Sequence, residues 1–160
     1  MKQYILKTPI GPLHLTASEK GLCGIHWKKQ TSQVVASLDG GDAETRLLAQ
    51  TVEELQEYFA GQRTSFTVPL DLHGTDFQKK VWGELLKIPY GKTFSYTDIA
   101  QRIKNRKAVR AVGSANGRNP VSIIVPCHRV IAADGTLGGY AGGLNTKTRL
   151  LDLERKTPRD

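Results

Sequence analysis

The sequence predicts an α/β chain of the α+β kind. A small antiparallel-sheet subdomain with one long helix (residues 1–74) precedes a mainly helical domain with a helix-turn-helix (residues 75–160). Three observations predict this. Short alternating runs separated by turn signals fill the beginning of the chain. From residue 44 onward apolar residues recur instead at three- and four-residue steps, the helical period. Charge is also unevenly placed: residues 1–74 hold seven Lys/Arg and eight Asp/Glu, net −1, whereas 75–160 hold sixteen and seven, net +9.

Taken in order, Tyr4-Ile5-Leu6 opens the strand region and Thr8-Pro9-Ile10-Gly11-Pro12 is a turn-rich link. Leu13-His14-Leu15-Thr16-Ala17 alternates apolar with polar or small side chains, and Glu19-Lys20-Gly21 turns the chain into residues 22–27 to complete a meander. In residues 30–41, Val34, Val35 and Leu38 suit one side of a short helix ended by Gly40-Gly41. Residues 44–59 predict a helix, with Leu48, Thr51/Val52, Leu55 and Tyr58/Phe59 on one face and Gly61 as its stop. Phe66-Thr67-Val68 reads as a short extended piece and residues 70–74 as a linker.

The basic half opens with Thr75, a good N-cap, and Gln78 completes a capping box. Phe77, Val81, Trp82 and Leu85 give that helix an apolar face, and Pro89 ends it. Ser95 and Asp98 form a second box before Ile99-Ala100-Gln101-Arg102-Ile103, and Asn105 is the expected cap of a helix over 106–115 closed by Gly117. Two short helices, the second basic and alanine-rich, make a helix-turn-helix candidate. Ala108, Ala111 and Ala115 are small enough to let that helix lie close in a groove; the alternative is a merely solvated helix surface. Val121-Ser122-Ile123-Ile124-Val125 is expected as a buried strand or extended segment leading to Pro126-Cys127-His128-Arg129. Residues 132–143 form a glycine-rich loop, and Asn145 is the expected cap of a last helix over 146–155 that buries Leu150, Leu151 and Leu153.

Apolar residues make up 39% and charged ones 24%, a globular balance rather than a disordered one. No run approaches the roughly 18 apolar residues of a membrane span, and Met1-Lys2-Gln3-Tyr4 lacks the apolar stretch of a signal peptide; a cytoplasmic protein is expected. The basic half suggests a polyanion-facing surface. With only Cys23 and Cys127, no disulfide framework is expected, and a monomer is the simplest state. Cys23 and His26 have metal-like spacing, with His14 and His73 available, but a structural zinc wants about four ligands. Cys23 reads more simply as strand packing, and no metal is assigned. No glycine fingerprint stands between a strand and a helix, so no cofactor is expected.

Cys127 has two readings. A cysteine after an apolar run is commonly a small buried hydrophobe. Against that, His128 and Arg129 are costly to bury unless partnered. An adjacent imidazole can take the thiol proton, directly or through water, to give the nucleophilic thiolate, and Glu154 on the last helix is a candidate to orient it.

The stretch Asn119-Pro120-Val121-Ser122-Ile123-Ile124-Val125-Pro126-Cys127-His128-Arg129-Val130-Ile131 resembles the signature of the O6-alkylguanine-DNA alkyltransferases (methylated-DNA–protein-cysteine methyltransferases). Three further segments agree in order and spacing: Pro89-Tyr90-Gly91-Lys92-Thr93-Phe94-Ser95-Tyr96, Ala108-Val109-Arg110-Ala111-Val112-Gly113, and Gly138-Gly139-Tyr140-Ala141-Gly142-Gly143-Leu144. The resemblance is strong over about residues 75–155 and weaker over 1–74.

The resemblance implies repair of O6-alkylguanine, and more weakly of O4-alkylthymine, by irreversible single-turnover transfer of the alkyl group to Cys127. The partner it implies is double-stranded DNA bound through the minor groove, with the damaged nucleotide flipped out. His128, through a bridging water, and Glu154 match the residues that draw off the thiol proton. Tyr96 matches a donor at the flipped nucleotide, and Arg110 the finger that fills the vacated base position. Asn119 matches a support for the turn and the thiolate, while Tyr140, Ala141 and Gly142 match the lesion-pocket wall. Lys147 matches a residue that ties the loop down or supports the pocket, and Ser95 and Ala111 fall among the DNA-contacting positions. Gly139 stands where some members carry a bulkier residue, which implies room for larger alkyl groups; Ala141 stands where some carry serine. The chain starts directly with the strand domain, without an additional metal-binding module, so no transcription-activating role is implied.

Three other readings compete with transfer. A lesion-binding protein on the same scaffold would lack the reactive cysteine. A thiol hydrolase would leave the paired basic helices unexplained, and a DNA-binding regulator would leave the Cys-His-Arg turn without purpose.

Overall fold

The computed structural model describes residues 1–156; the last four residues of the expected C-terminal domain lie outside the described residues. The chain forms two compact units, one up to His73 and one from Gly74 onward.

In the first unit, β1 (Lys2–Thr8), β2 (Gly11–Ala17) and β3 (Leu22–His26) form an antiparallel meander. The β1–β2 register runs from Lys2↔Ala17 to Thr8↔Gly11, with Gly11 at φ 100°, a conformation open to a residue without Cβ. The helix expected within residues 30–41 does not form. Instead β4 (Gln33–Val34) pairs parallel with β1, giving the order β3-β2-β1-β4. The cause is the buried Gln3 side chain, whose amide donates to the Gln30 and Ser32 carbonyls at 2.7 and 2.6 Å and holds this segment against the sheet edge. Val35 N–H also donates to the Gln3 carbonyl at 2.8 Å, a bond a local helix would forfeit.

Asp42 caps α1 (Ala43–Phe59), its carboxylate accepting from Thr45 N–H. The predicted apolar stripe is buried at Leu48, Val52, Leu55 and Tyr58, and it packs on β1 and β2. Residues 66–68 are not a ladder strand. They are held by buried Glu54, which accepts from Thr67 N–H (2.8 Å), the Thr67 hydroxyl (2.8 Å) and Val68 N–H (3.3 Å). Nor do residues 70–74 begin as slack linker, because Leu70 bridges Leu22 and Asp71 N–H donates to the Leu22 carbonyl.

Strand parity separates Cys23 from His26, which pairs across the sheet with His14. Cys23 instead approaches Asp71 and His73, their potential ligand atoms lying within 4.8 Å of one another. The Cys23 thiol donates to Asp71 Oδ2 at 3.7 Å, so this side chain does more than fill space.

The second unit begins with α2 (Asp76–Leu85), capped by the Thr75/Gln78 box. Val81, Trp82 and Leu85 are buried, and Trp82 Nε1 donates to the Ala115 carbonyl at 2.8 Å. Ala115 therefore faces this core rather than an external groove. β5 (Phe94–Ser95) leads into α3 (Tyr96–Arg102), where Ser95 and Asp98 form the second box. Asn105 does not cap the next helix. Lys104 takes φ 60°, the chain passes through a 3-10 turn over Arg106–Ala108, and α4 (Val109–Gly117) follows. α4 packs on α2 and α3, completing the helix-turn-helix.

Residues 121–125 are no strand. Ile124 N–H donates to the Ser122 carbonyl and Val125 N–H to the Val121 carbonyl, with Ile123 at φ 76°. A β-branched residue in that region carries strain of about 1–3 kcal/mol. A second 3-10 turn, Cys127–Arg129, runs into β6 (Val130–Ile131), which pairs parallel with β5 through Phe94↔Val130 and Ser95↔Ile131. The last helix, α5 (Leu144–Lys156), takes in Asn145 as its second residue, so Asn145 is not its cap. Leu150 and Leu151 are buried and Leu153 is half-buried. Among the described residues no helix is long and apolar enough to cross a membrane.

Candidate active site

The sharp turns at 121–125 place Cys127 at the start of its 3-10 turn, 4% exposed, at the wall of a cavity of about 240 Å³. Asn119 braces the approach, donating from Nδ2 to the Val125 carbonyl at 2.7 Å while its Oδ1 accepts from Val121 N–H at 3.0 Å. Asn116 Nδ2 reaches the Cys127 carbonyl at 3.5 Å. Burial pushes the Cys127 thiol up, opposed by hydrogen bonding from Asn119 and Ser122 and by the charge of Lys147. At rest the sulfur is therefore a protonated thiol.

Next in the chain is His128, fully buried, whose Nε2 meets Glu154 Oε2 at 2.6 Å. Burial lowers its pKa against the opposing pull of Glu154, favouring the neutral ring. Burial alone would raise the Glu154 carboxyl, but hydrogen bonds from His128 and Arg129 and the Arg129 charge hold it at about 2. A carboxylate can only accept, so Nε2 carries the imidazole hydrogen and Nδ1 keeps its lone pair. That nitrogen makes no hydrogen bond to the described residues.

Three elements wall the cavity beside Cys127. Tyr96 stands at the first turn of α3, Gly113, Asn116 and Gly117 come from α4, and Gly139, Tyr140 and Ala141 come from the glycine loop. Burial raises both tyrosine hydroxyls, Tyr140 well above its ordinary value, so each keeps its proton near neutrality and can donate. The volume lies just under the roughly 300–1,000 Å³ of pockets for drug-sized ligands, a size suited to one base-sized group.

Comparison with known proteins decides which family this architecture serves. Residues 76–156 match the model of the 6-O-methylguanine DNA methyltransferase DNA binding domain, and residues 1–72 that of its ribonuclease-like domain. The Mycobacterium leprae methylated-DNA–protein-cysteine methyltransferase is 49% identical over 94% of this chain and 90% of its own length. The chain belongs to the methylated-DNA–protein-cysteine methyltransferase family. The enzyme of that name from Methanosarcina acetivorans is 47% identical over 96% of this chain and 98% of its own. The crystal structure of Mycobacterium tuberculosis OGT in complex with DNA superposes with a TM-score of 0.87 at 46% identity, covering 98% of this chain and 94% of that one.

In this methyltransferase family member, Cys127, Asn119, Tyr96, Tyr140 and Ala141 line one cavity, and the His128–Glu154 pair is buried next to Cys127 in the chain without lining it. Lys147, on the first turns of α5, is buried and donates to the carbonyls of Val130 (2.7 Å), Leu137 and Gly139 (3.4 Å), tying the glycine loop to the strand after Cys127. Gly142 is not on the cavity wall, and Ser95 is the cap of α3. Arg110 and Ala111 are exposed on the first turn of α4, outside the cavity.

Sequence reasoning did not single out Ser122, Gly113 or Asn116 as wall residues, nor any task for Arg129. Arg129 is 6% exposed; Nε and Nη2 fork onto Glu154 Oε1 and Oε2 at 2.7 and 3.1 Å, and Nη1 donates to the Ile88 carbonyl at 2.8 Å. Its position beside His128, with a charge costly to bury, was the available signal.

Proposed function

We propose that this methyltransferase repairs O6-alkylguanine in double-stranded DNA, and O4-alkylthymine more weakly, by moving the alkyl group onto Cys127 once per molecule. The observation that carries the reading is the thiol of Cys127 at a base-sized cavity, with the buried His128–Glu154 pair beside it. The stacked duplex hides the O6 substituent, so the nucleotide must flip into such a cavity.

The steps follow from the residues present. The Cys127 thiol proton passes to His128, through a bridging water, and the imidazolium is stabilised by Glu154. Sγ then attacks the alkyl carbon, the carbon–O6 bond breaks, and its electron pair goes to the purine. Donation from the Tyr96 hydroxyl stabilises that charge, and the purine then takes up a proton. The product is a thioether with no thiol left to regenerate, so each molecule acts once. No cofactor is needed for any step.

DNA binding uses α4 in the minor groove. Its exposed residues include Arg110, Ala111, Ser114 and Gly117, and all but the arginine are small enough to permit close approach. Arg110 fills the gap left by the flipped base, and Ser95 and Lys92 belong to the same basic half. Gly142 shapes the loop that meets the base. The protein acts as a monomer in the cytoplasm, a setting that suits its two free cysteines.

Titrating an O6-methylguanine duplex with the protein tests this reading. Lesion repaired should equal protein added, and Cys127→Ser should bind the lesion without repairing it. Repair by the serine variant, or turnover beyond one equivalent, contradicts the proposal. Arg110→Ala should slow repair in duplex DNA far more than reaction with free O6-benzylguanine; equal slowing would remove the finger.

A further inference from the structure

Glu154 is not the private partner of His128. It is shared, because Arg129 forks onto both of its oxygens while His128 meets Oε2. The same guanidinium donates to the Ile88 carbonyl and lies over the Tyr90 ring, 5.6 Å from its centroid. A lysine would keep the positive charge but not this three-point fork onto two oxygens and a carbonyl.

We propose that Arg129 is a positioning residue for the transfer reaction: it neutralises and orients Glu154 so that His128 stands uncharged, with Nδ1 as the free base, until Cys127 gives up its proton. Charge counting explains the need. With Arg129 present, a guanidinium and a carboxylate balance, and a neutral ring completes an overall neutral buried cluster. Without it, the buried carboxylate would have His128 as its charge partner, and the pair would hold an extra proton at rest. A pair already protonated cannot accept the proton of the thiol. When Cys127 does ionise, His128 becomes imidazolium against Glu154, and the thiolate and imidazolium balance each other while the Arg129–Glu154 pair is unchanged.

The groups that face the imidazole support this balance. Glu154 and Lys147 come from α5 and Arg129 from its own turn, while Tyr140 from the loop acts on Cys127 and Glu154. α2, which also packs against the turn, has Val81, Trp82 and Leu85 as its buried residues. Arg129 and Lys147 both disfavour a positive ring, in the direction the resting state requires. The connection to Ile88 adds a geometric role, since that residue begins the turn leading to β5 and Tyr96, which β5–β6 pairing already sets beside Cys127.

The inference rests on the alkyl-transfer reading, but its main test needs no substrate. Nitrogen NMR of His128 in the unreacted wild-type protein at pH 7 should show a neutral ring protonated on Nε2. In Arg129→Met, which keeps an apolar stem near Tyr90, the pH midpoint of the His128–Glu154 pair should rise by about one unit or more. The acid limb of the transfer rate should move up by the same amount, with the rate recovering within a few-fold at high pH. Arg129→Lys, which keeps the charge, should stay within about half a unit of wild type. An imidazolium in the wild-type protein at pH 7 overturns the proposal, as does an unshifted midpoint in Arg129→Met. Loss of rate by one factor at every pH would do the same, marking Arg129 as only structural. Should Arg129→Met fail to fold, the wild-type ring and the Arg129→Lys titration still decide. A wild-type protein with the expected ring but no alkyl transfer would sink the function and leave the electrostatics standing.

Discussion

Replacing Lys147 by methionine would remove one ammonium and leave three carbonyls without it. The Val130 carbonyl is the expensive one, because Val130 is fully buried. A hydrogen bond to a charged group contributes about 1.5–3 kcal/mol, and a buried acceptor left unpaired costs about 1–3 kcal/mol. The Leu137 and Gly139 carbonyls sit in a half-exposed loop and can turn to water, so they add little. Relief from burying the ammonium, whose pKa burial lowers, offsets part of the loss. A net destabilisation of about 2–3 kcal/mol is expected, or a fall in Tm of roughly 4–12 °C at about 2–4 °C per kcal/mol. Urea and thermal unfolding measure this directly. Amide hydrogen exchange across residues 137–143 should also quicken, because the tether between loop and β6 is gone, and reaction with O6-benzylguanine should slow at least tenfold. Stability within about 0.5 kcal/mol of wild type, with unchanged loop exchange, would refute the reasoning.

Three further outcomes follow from particular positions. Gly138 has φ 69°, and a Cβ there would meet the Tyr96 hydroxyl at 2.9 Å, so Gly138→Ala should shift the tyrosine or the loop and slow transfer at least tenfold; a wild-type rate would contradict that contact. At Gly139 a Cβ meets nothing within 4 Å, so Gly139→Asn should fold normally and narrow the cavity, slowing benzyl transfer more than methyl transfer; equal rates on both lesions would remove this residue from specificity. Glu154 has a folded pKa depressed to about 2, against about 4.3 unfolded, so its contribution is present above about pH 5 and is lost as pH falls through that interval, up to about 3 kcal/mol. Glu154→Gln should therefore be less stable at pH 7 and lose less stability than wild type between pH 5 and 3; parallel pH curves for the two would contradict it.

Local rules carried the fold far where one signal acted alone. The two capping boxes, Thr75/Gln78 and Ser95/Asp98, and the stripe of α1 were legible because side chain and backbone satisfy each other within four residues. Reading failed where a distant group won. Gln3 draws residues 30–34 onto the sheet edge against a helical spacing, and no local pattern announces it. Val121-Ser122-Ile123-Ile124-Val125 has strand composition, yet Asn119 ties both ends of the segment and folds it into turns. Asn105 had the right residue type for a cap, but Lys104 at φ 60° carries it out of cap geometry.

The site divides in the same way. Cys127 and His128 could be read from chemistry carried by adjacent residues, and Glu154 from its place on an amphipathic helix. The other site assignments came from the family resemblance rather than from spacing. Ser122, Gly113 and Asn116 escaped both, since a cavity wall is assembled from helix and turn residues whose types carry no reactive signal. Arg129 was visible as a charge needing a partner, but only the tertiary fold brings Glu154 and the Ile88 carbonyl to it.

The most direct measurement of the central claim is peptide mass spectrometry of the protein after reaction with one equivalent of O6-methylguanine duplex. The account predicts a single added methyl group on Cys127 and guanine restored in the oligonucleotide. A methyl group on any other residue, or an unmodified Cys127 beside repaired DNA, would contradict it.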